Sequence, residues 1–265
     1  MPKLAANLTM LFTEYPLADR FGRAAANGFG GIEVLFPYEL RANEVSELLR
    51  EHHLDLVLFN LPAGDWNAGD RGLAASPDRV KEFRNGVDLA VTYAEALKPR
   101  RINCLVGKTD DPTETRRVML ENIVYAADAL ETVGVRLTIE PVNTHDVPGF
   151  AIADTATALS VLAEVEHPNV GLQFDVYHSL RMGEDPFAII EEHGRTIDHI
   201  QIADVPGRHQ PGTGEIDFGR LFSTIDGSGY SGWVSLEYVP EGHTEEGFGH
   251  LRELGYLGTS VESTD

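Results

Sequence analysis

Short apolar runs recur along this chain, and each is followed by a longer stretch whose apolar residues fall at helical spacing. The eight β-like runs are LAANLTML from Leu4, GIEVLF from Gly31, LDLVLFNL from Leu54, RINCLVG from Arg101, VRLTIEPV from Val135, VGLQFDVY from Val170, DHIQIAD from Asp198 and WVSLEYV from Trp233. Between them Val45, Leu48 and Leu49, and later Val118, Ile123, Ala126 and Leu130, mark helices. Alternation of strand and helix implies a parallel sheet covered by helices. An open doubly wound sheet would carry a glycine-rich phosphate turn after its first strand, and FTEYPLADRFG, which follows LAANLTML, has none. Eight units in 265 residues match a closed (β/α)8 TIM barrel, which takes roughly 250. The expectation is one domain over residues 1–265, with a mobile tail over 257–265.

Helix boundaries are legible where a side-chain oxygen can satisfy orphan amides. Ser76 before Pro77, Asp111 before Pro112, Asp154 and Asp217 read as N-caps. Gly28, Gly134 and Gly194 suit left-handed C-caps ahead of the next strand.

Charge and cysteine content narrow the function. The 21 Lys and Arg residues stand against 42 Asp and Glu, a formal charge of −21, whereas phosphate backbones and anionic membranes need clustered cations. Neither nucleic acid nor membrane is an expected partner. Cys104 is the single cysteine, which excludes an intrachain disulfide and a thiolate zinc site and fits a reducing cytosol. MPKLAANLTMLFTEYP lacks the long apolar core of a secretion signal, so a cytoplasmic protein is expected. Homo-oligomerisation is left open.

Four oxygen-bearing side chains stand near the ends of the last four runs: Glu140, Asp175, Gln201 and Glu237. Their separations of 35, 26 and 36 residues are one strand-plus-helix unit each, so a parallel barrel would bring them to one mouth. An all-oxygen set suits a hard divalent cation, Mg²⁺ first and Mn²⁺ next. The competing reading is that these acids cap helices or face solvent. An ion in such a mouth would acidify a substrate C–H, and Glu140 and Glu237 could then remove a proton and return it to the adjacent carbon. On so acidic a chain an anionic substrate needs a local cationic clamp, and His178 of FDVYH, Arg208 of QIADVPGRHQPG and Lys108 of CLVGKT are the candidates. The glycine-punctuated segment from Asn60 to Gly72 reads as a lid or binding loop in which Trp66 covers substrate or packs on the rim, with Asn60 and Arg71 in reach. His145, His199 and His209 are read as structural.

With these residues laid out, the chain resembles the hydroxypyruvate isomerase family within the xylose-isomerase-like barrels. The likeness runs through ANLTMLF, FPY, NLPAGDW, INCLVGKT, IEPVN, FDVYH, QIAD, PGTGEI and EY. It implies that Glu140, Asp175, Gln201 and Glu237 bind the metal, that Glu140 and Glu237 are the acid/base pair, and that His178 and Arg208 touch substrate. The implied reaction interconverts hydroxypyruvate and 2-hydroxy-3-oxopropanoate through an enediolate. Phe59 stands where many relatives have a histidine, and Gln201 where sugar epimerases of similar architecture have one; both departures favour a short open-chain substrate. The alternatives are a four-carbon 2-oxo-tetronate isomerase, a ketose 3-epimerase and a non-catalytic sugar-acid binding barrel. A nuclease would want a histidine-rich metal cluster and a basic groove.

Overall fold

The computed structural model describes residues 1–109 and 112–258, less the side chains of 112–114. Eight strands pair in parallel in chain order: β1 (Lys3–Asn7), β2 (Gly31–Glu33), β3 (Asp55–Asn60), β4 (Arg101–Cys104), β5 (Arg136–Ile139), β6 (Val170–Asp175), β7 (Ile197–Ile202) and β8 (Trp233–Leu236). Pairing of β1 with β8 closes the barrel, so the (β/α)8 architecture expected from the alternating pattern is the one observed. The connecting helices are α1 (Leu17–Ala26), α2 (Ala42–Glu51), α3 (Val80–Leu97), α4 (Pro112–Glu131), α5 (Thr155–Val165), α6 (Val176–Arg181), α7 (Pro186–His193) and α8 (Phe218–Gly227), with α9 (Gly249–Glu253) after the last strand.

Alternation along each strand sorts side chains onto two faces. Leu137 and Ile139, Leu172 and Phe174, Ile200 and Ile202, and Val234 and Leu236 join the apolar layer under the helices, against Leu130, Val161, Ile190 and Phe222. The intervening residues, Thr138 and Glu140, Gln173 and Asp175, His199 and Gln201, Ser235 and Glu237, are buried on the other face, inside the barrel. Register places Gln173 beside His199, and Asp175 beside Gln201 beside Ser235, so the polar groups form stacked tiers. Each outer apolar side chain contributes about 1.5–3 kcal/mol on burial. An unbonded polar group inside would cost about 1–3 kcal/mol, so the lining depends on being bonded to itself. At the opposite end Trp233 packs with Ala5, Val57 and Leu58. Gly31 is required there, because a Cβ would lie 2.7 Å from the Trp233 ring.

Asp154 and Asp217 cap α5 and α8 as expected, accepting from Thr157 N at 2.7 Å and Arg220 N at 2.9 Å. Gly28 and Gly134 hold the left-handed conformation expected of them. Three readings need correction. Ser76 makes no side-chain cap bond, because Pro77 opens a 3₁₀ turn rather than an α-helix. Gly194 is right-handed at φ −53 and ends α7 without a left-handed turn. Leu257, placed in the tail, is buried in the core; residues 259–265 and Asp111 lie outside the described residues.

Candidate active site

Closure of the barrel brings Glu140, Asp175 and Glu237 to the carboxyl ends of β5, β6 and β8, all buried. Asp175 begins α6, and its Oδ1 accepts from Tyr177 N at 2.8 Å while Oδ2 has no hydrogen-bond donor among the described residues. That free oxygen lies 3.6 Å from the Arg208 guanidinium and 3.7 Å from His178 Nε2. Glu140 accepts from Asn103 Nδ2 at 2.9 Å through Oε2, and its Oε1 lies 3.9 Å from His178 Nε2. Glu237 is fully engaged: Oε1 accepts from Arg208 at 2.7 Å, and Oε2 accepts from Asn7 at 3.0 Å and from Gln201 Nε2.

Burial governs the electrostatics. Loss of water pushes Glu140 well above the usual carboxylate range, and repulsion from Glu237 and Asp175 adds to it. Asp175 is raised by burial, which the Arg208 charge opposes. Glu237 is pushed up to about 8 by burial, again against Arg208. Burial, and then the Arg208 charge, hold His178 well below the usual imidazole range, so the ring is neutral. A divalent cation among the carboxylates would reverse the sign for all three, because a nearby positive charge favours the ionised form. Three mutually repelling carboxylates, two of them with an oxygen that has no donor among the described residues, Asp175 Oδ2 and Glu140 Oε1, fit such an ion in donor type.

Gln201 stands differently from its expected place in that set. Its amide oxygen accepts from Gln173 Nε2 at 2.6 Å, while its Nε2 faces Glu33 Oε2 at 3.0 Å and Glu237. Thr138 donates to Gln173 Oε1 at 3.2 Å, which sets the Gln173 amide and, through it, Gln201. Gln201 therefore touches the cluster through nitrogen, as a donor to Glu237.

A cavity of about 770 Å³ opens over these groups, lined by Glu140, Glu237, His178, Arg208, Asn60, Trp66 and Arg71. Trp66 lines the cavity and packs on the rim, 5.3 Å from the Phe36 ring. Arg71 stacks on Trp66 at 3.9 Å and donates to the carbonyls of Trp66 and Asp70. Asn60 belongs to the wall, and its backbone carbonyl accepts from Tyr38 OH at 2.7 Å. Lys108 is placed elsewhere: its ammonium donates to Gly69 O at 2.9 Å and straps the Trp66 loop from outside the lining.

Several groups that contact or order the site escaped the sequence reading. Glu33, fully buried at the end of β2, accepts from Asn7 at 3.1 Å and contacts His199. Asp204 organises the loop that carries Arg208, since its carboxylate accepts from the backbone N–H groups of Val205, Gly212, Gly214 and Ile216. Tyr177 supplies a face for Arg208, 5.0 Å from ring centre to guanidinium carbon. The aspartate of QIAD followed by the glycines of PGTGEI was the available signal for that loop.

A model of the xylose isomerase-like TIM barrel family matches residues 21–254. The chain belongs to that family. Among curated xylose isomerase-like proteins, it is 44% identical over 250 residues to the hydroxypyruvate isomerase of Escherichia coli (strain K12), covering 93% of this chain and 97% of that one. It is 41% identical to the 2-oxo-tetronate isomerase of Cupriavidus necator, over 97% of this chain and 100% of that one. A crystal structure from Brucella melitensis, described as an AP endonuclease of family 2, superposes with a TM-score of 0.93 at 43% identity, over 96% of this chain and 99% of that one. The apo 3-keto-D-glucoside 4-epimerase of Escherichia coli shares the fold, with a TM-score of 0.81 at 16% identity, over 96% of this chain and 100% of that one.

Proposed function

We propose that this protein is an aldose–ketose type isomerase of small 2-oxo acids that interconverts hydroxypyruvate and 2-hydroxy-3-oxopropanoate. The observation that carries the reading is the pairing of two buried carboxylates, Glu140 and Glu237, in the wall of one cavity that also holds two arginines. Isomerisation moves one C–H proton from C3 to C2 while the hydroxyl proton passes from O3 to O2. A carboxylate raised by burial is a usable base and, once protonated, a usable acid. Glu140 Oε1 has no hydrogen-bond donor among the described residues, which supports it as the oxygen that takes and returns the proton. Glu237, held by Arg208, Asn7 and Gln201, faces it as the second member of the pair. His178 and Arg208 hold the substrate oxygens, while Arg71 and Trp66 close the open side. The cations suit a carboxylate, which fits relatives named for oxo-acid isomerases.

Glu140, Asp175 and Glu237 are the residues that would hold a divalent cation, Mg²⁺ or alternatively Mn²⁺. Gln201 would join them if its amide turned over and released Gln173. The bound ion would polarise the substrate's carbonyl and hydroxyl oxygens.

A four-carbon 2-oxo-tetronate is the second reading, favoured by the 41% identical relative and by a cavity with room for one more carbon. Turnover of hydroxypyruvate, 2-oxo-tetronates and ketohexoses, compared by kcat/KM with Mg²⁺, Mn²⁺ and a chelator, tests both. Dominant ketohexose turnover would overturn the oxo-acid assignment. The nuclease description of the Brucella melitensis protein has little support in this site, where among the described residues His178 alone of the histidines joins Glu140 and Asp175 in a candidate ligand group, and the chain's charge is −21.

A further inference from the structure

We infer that Asn143 is a positioning residue that fixes His178 as its Nε2–H tautomer, which makes His178 a hydrogen-bond donor to the substrate rather than a ligand to the ion. Glu140, Asp175 and His178 together have the look of a metal triad, with candidate ligand atoms all within 4.8 Å of one another. An imidazole nitrogen can bind an ion only through a bare lone pair, so the question is which nitrogen carries the proton.

The hydrogen bonds around Asn143 answer it. The backbone N–H of Asp146 donates to Asn143 Oδ1 at 2.9 Å, and a backbone N–H has no other role to play. That bond sets the Asn143 amide without ambiguity, leaving Nδ2 as a donor on the other side. Nδ2 donates to Asp146 Oδ2 at 2.9 Å and meets His178 Nδ1 at 2.6 Å. The backbone N–H of Asn143 also points at His178 Nδ1, at 3.4 Å. With donors on Nδ1, that nitrogen must be the acceptor. Nε2 then bears the proton in the neutral ring, and its N–H is directed at the acidic cluster, 3.9 Å from Glu140 Oε1 and 3.7 Å from Asp175 Oδ2.

The arrangement extends to the arginine. Asp146 Oδ2, which accepts from Asn143, accepts also from Tyr177 OH at 2.9 Å, and the Tyr177 ring lies against Arg208. One short loop after β5 thus sets the proton on His178 and backs the face that supports Arg208. The tautomer stands on this geometry alone. The donor role in turnover rests on the isomerase reading, in which an N–H aimed at the substrate oxygen stabilises the charge that develops there.

The test is ¹⁵N NMR of the histidine rings in the intact protein at neutral pH, with His178 assigned from its loss in His178→Gln. The expected wild-type pattern is an unprotonated Nδ1 and a protonated Nε2; a protonated Nδ1 overturns the inference and needs no variant. In Asn143→Asp the carboxylate has no N–H to give and demands one, so Nδ1 should acquire a proton, and an Nδ1 that stays bare overturns the positioning role. Turnover of that variant should fall about 10²-fold in kcat, with KM changed less, the scale of losing one preorganised donor. Wild-type kcat in Asn143→Asp with Nδ1 protonated and Nε2 bare overturns the donor role. Absence of any oxo-acid turnover by the wild type overturns the isomerase reading instead, and leaves the NMR result to decide the tautomer.

Discussion

At the residue scale the two glutamates differ in how much of each carboxylate remains free. Glu140 keeps one oxygen clear of donors, whereas both oxygens of Glu237 are bonded. Glu140→Gln and Glu237→Gln should each lower kcat by about 10²–10⁴, the range for removing a general acid or base. Glu237→Gln should also raise KM, because it removes one of the charges that hold Arg208, and steady-state kinetics of both variants separates the effects. The positions of Glu140, Asp175 and Glu237 were legible in the sequence because each follows an apolar run at one strand-plus-helix spacing. Glu33 was not, since it sits inside GIEVLF where it reads as a strand residue. The orientation of Gln201 was not legible either, because Gln173 and Thr138, from two other strands, decide which atom faces the cluster. Cys104 yields a separate prediction. Burial pushes its thiol up to about 12, so the nucleophilic thiolate is disfavoured and no surface is exposed to a reagent. Ellman's reagent should find no thiol in the native protein and one per chain after denaturation; rapid native labelling would contradict the buried placement.

Elements decide what the loops can hold. Arg208 sits at φ 57, a left-handed conformation that a non-glycine residue keeps only when its surroundings impose it. Asp204 imposes it by accepting four backbone N–H groups from the loop, and Val239 N donates to Arg208 O at 2.8 Å from the β8 side. Asp204→Ala would leave four partly buried N–H groups without their acceptor, at up to about 1–3 kcal/mol. The expected result is a lower melting temperature together with a raised KM, since Arg208 loses its fixed place. An unchanged KM would show that β8 alone holds the loop. The Trp66 loop is braced in a similar way, by Lys108 on Gly69 O and by Gly72, where a Cβ would lie 1.9 Å from Leu105 O. The glycine punctuation revealed a long loop but not its strap, because Lys108 reaches it from the next unit of the barrel. Lys108, a candidate substrate clamp in the sequence, therefore also ties this loop through Gly69 O.

For the whole molecule the barrel is a container whose outer apolar layer supports a polar interior. The short apolar runs made the strands legible, and the eightfold alternation made the closure legible; the sorting of side chains onto two faces and the tiered polar lining emerged only from strand register. That lining concentrates strain in one place, where Glu140, Asp175 and Glu237 are deprived of water and repel one another. A divalent cation bound among them would stabilise the folded chain by mass action, because the unfolded chain has no such cluster. At a free concentration of about 100 times Kd the gain is about 2.7 kcal/mol. For a domain of this size each 1 kcal/mol shifts Tm by about 2–4 °C, so saturating Mg²⁺ or Mn²⁺ should raise Tm by about 5–10 °C over the chelated protein. Asp175→Asn removes one member of the cluster without changing its shape. Its metal-free form should be as stable as the wild type or more so, because one repelling charge is gone, and it should respond to the ion much less. Thermal melts of both proteins with each ion and with a chelator make the comparison. A wild-type Tm indifferent to both ions would mean that the acids are held by Arg208 and the amide network alone, and the metal reading of the site would have to be given up.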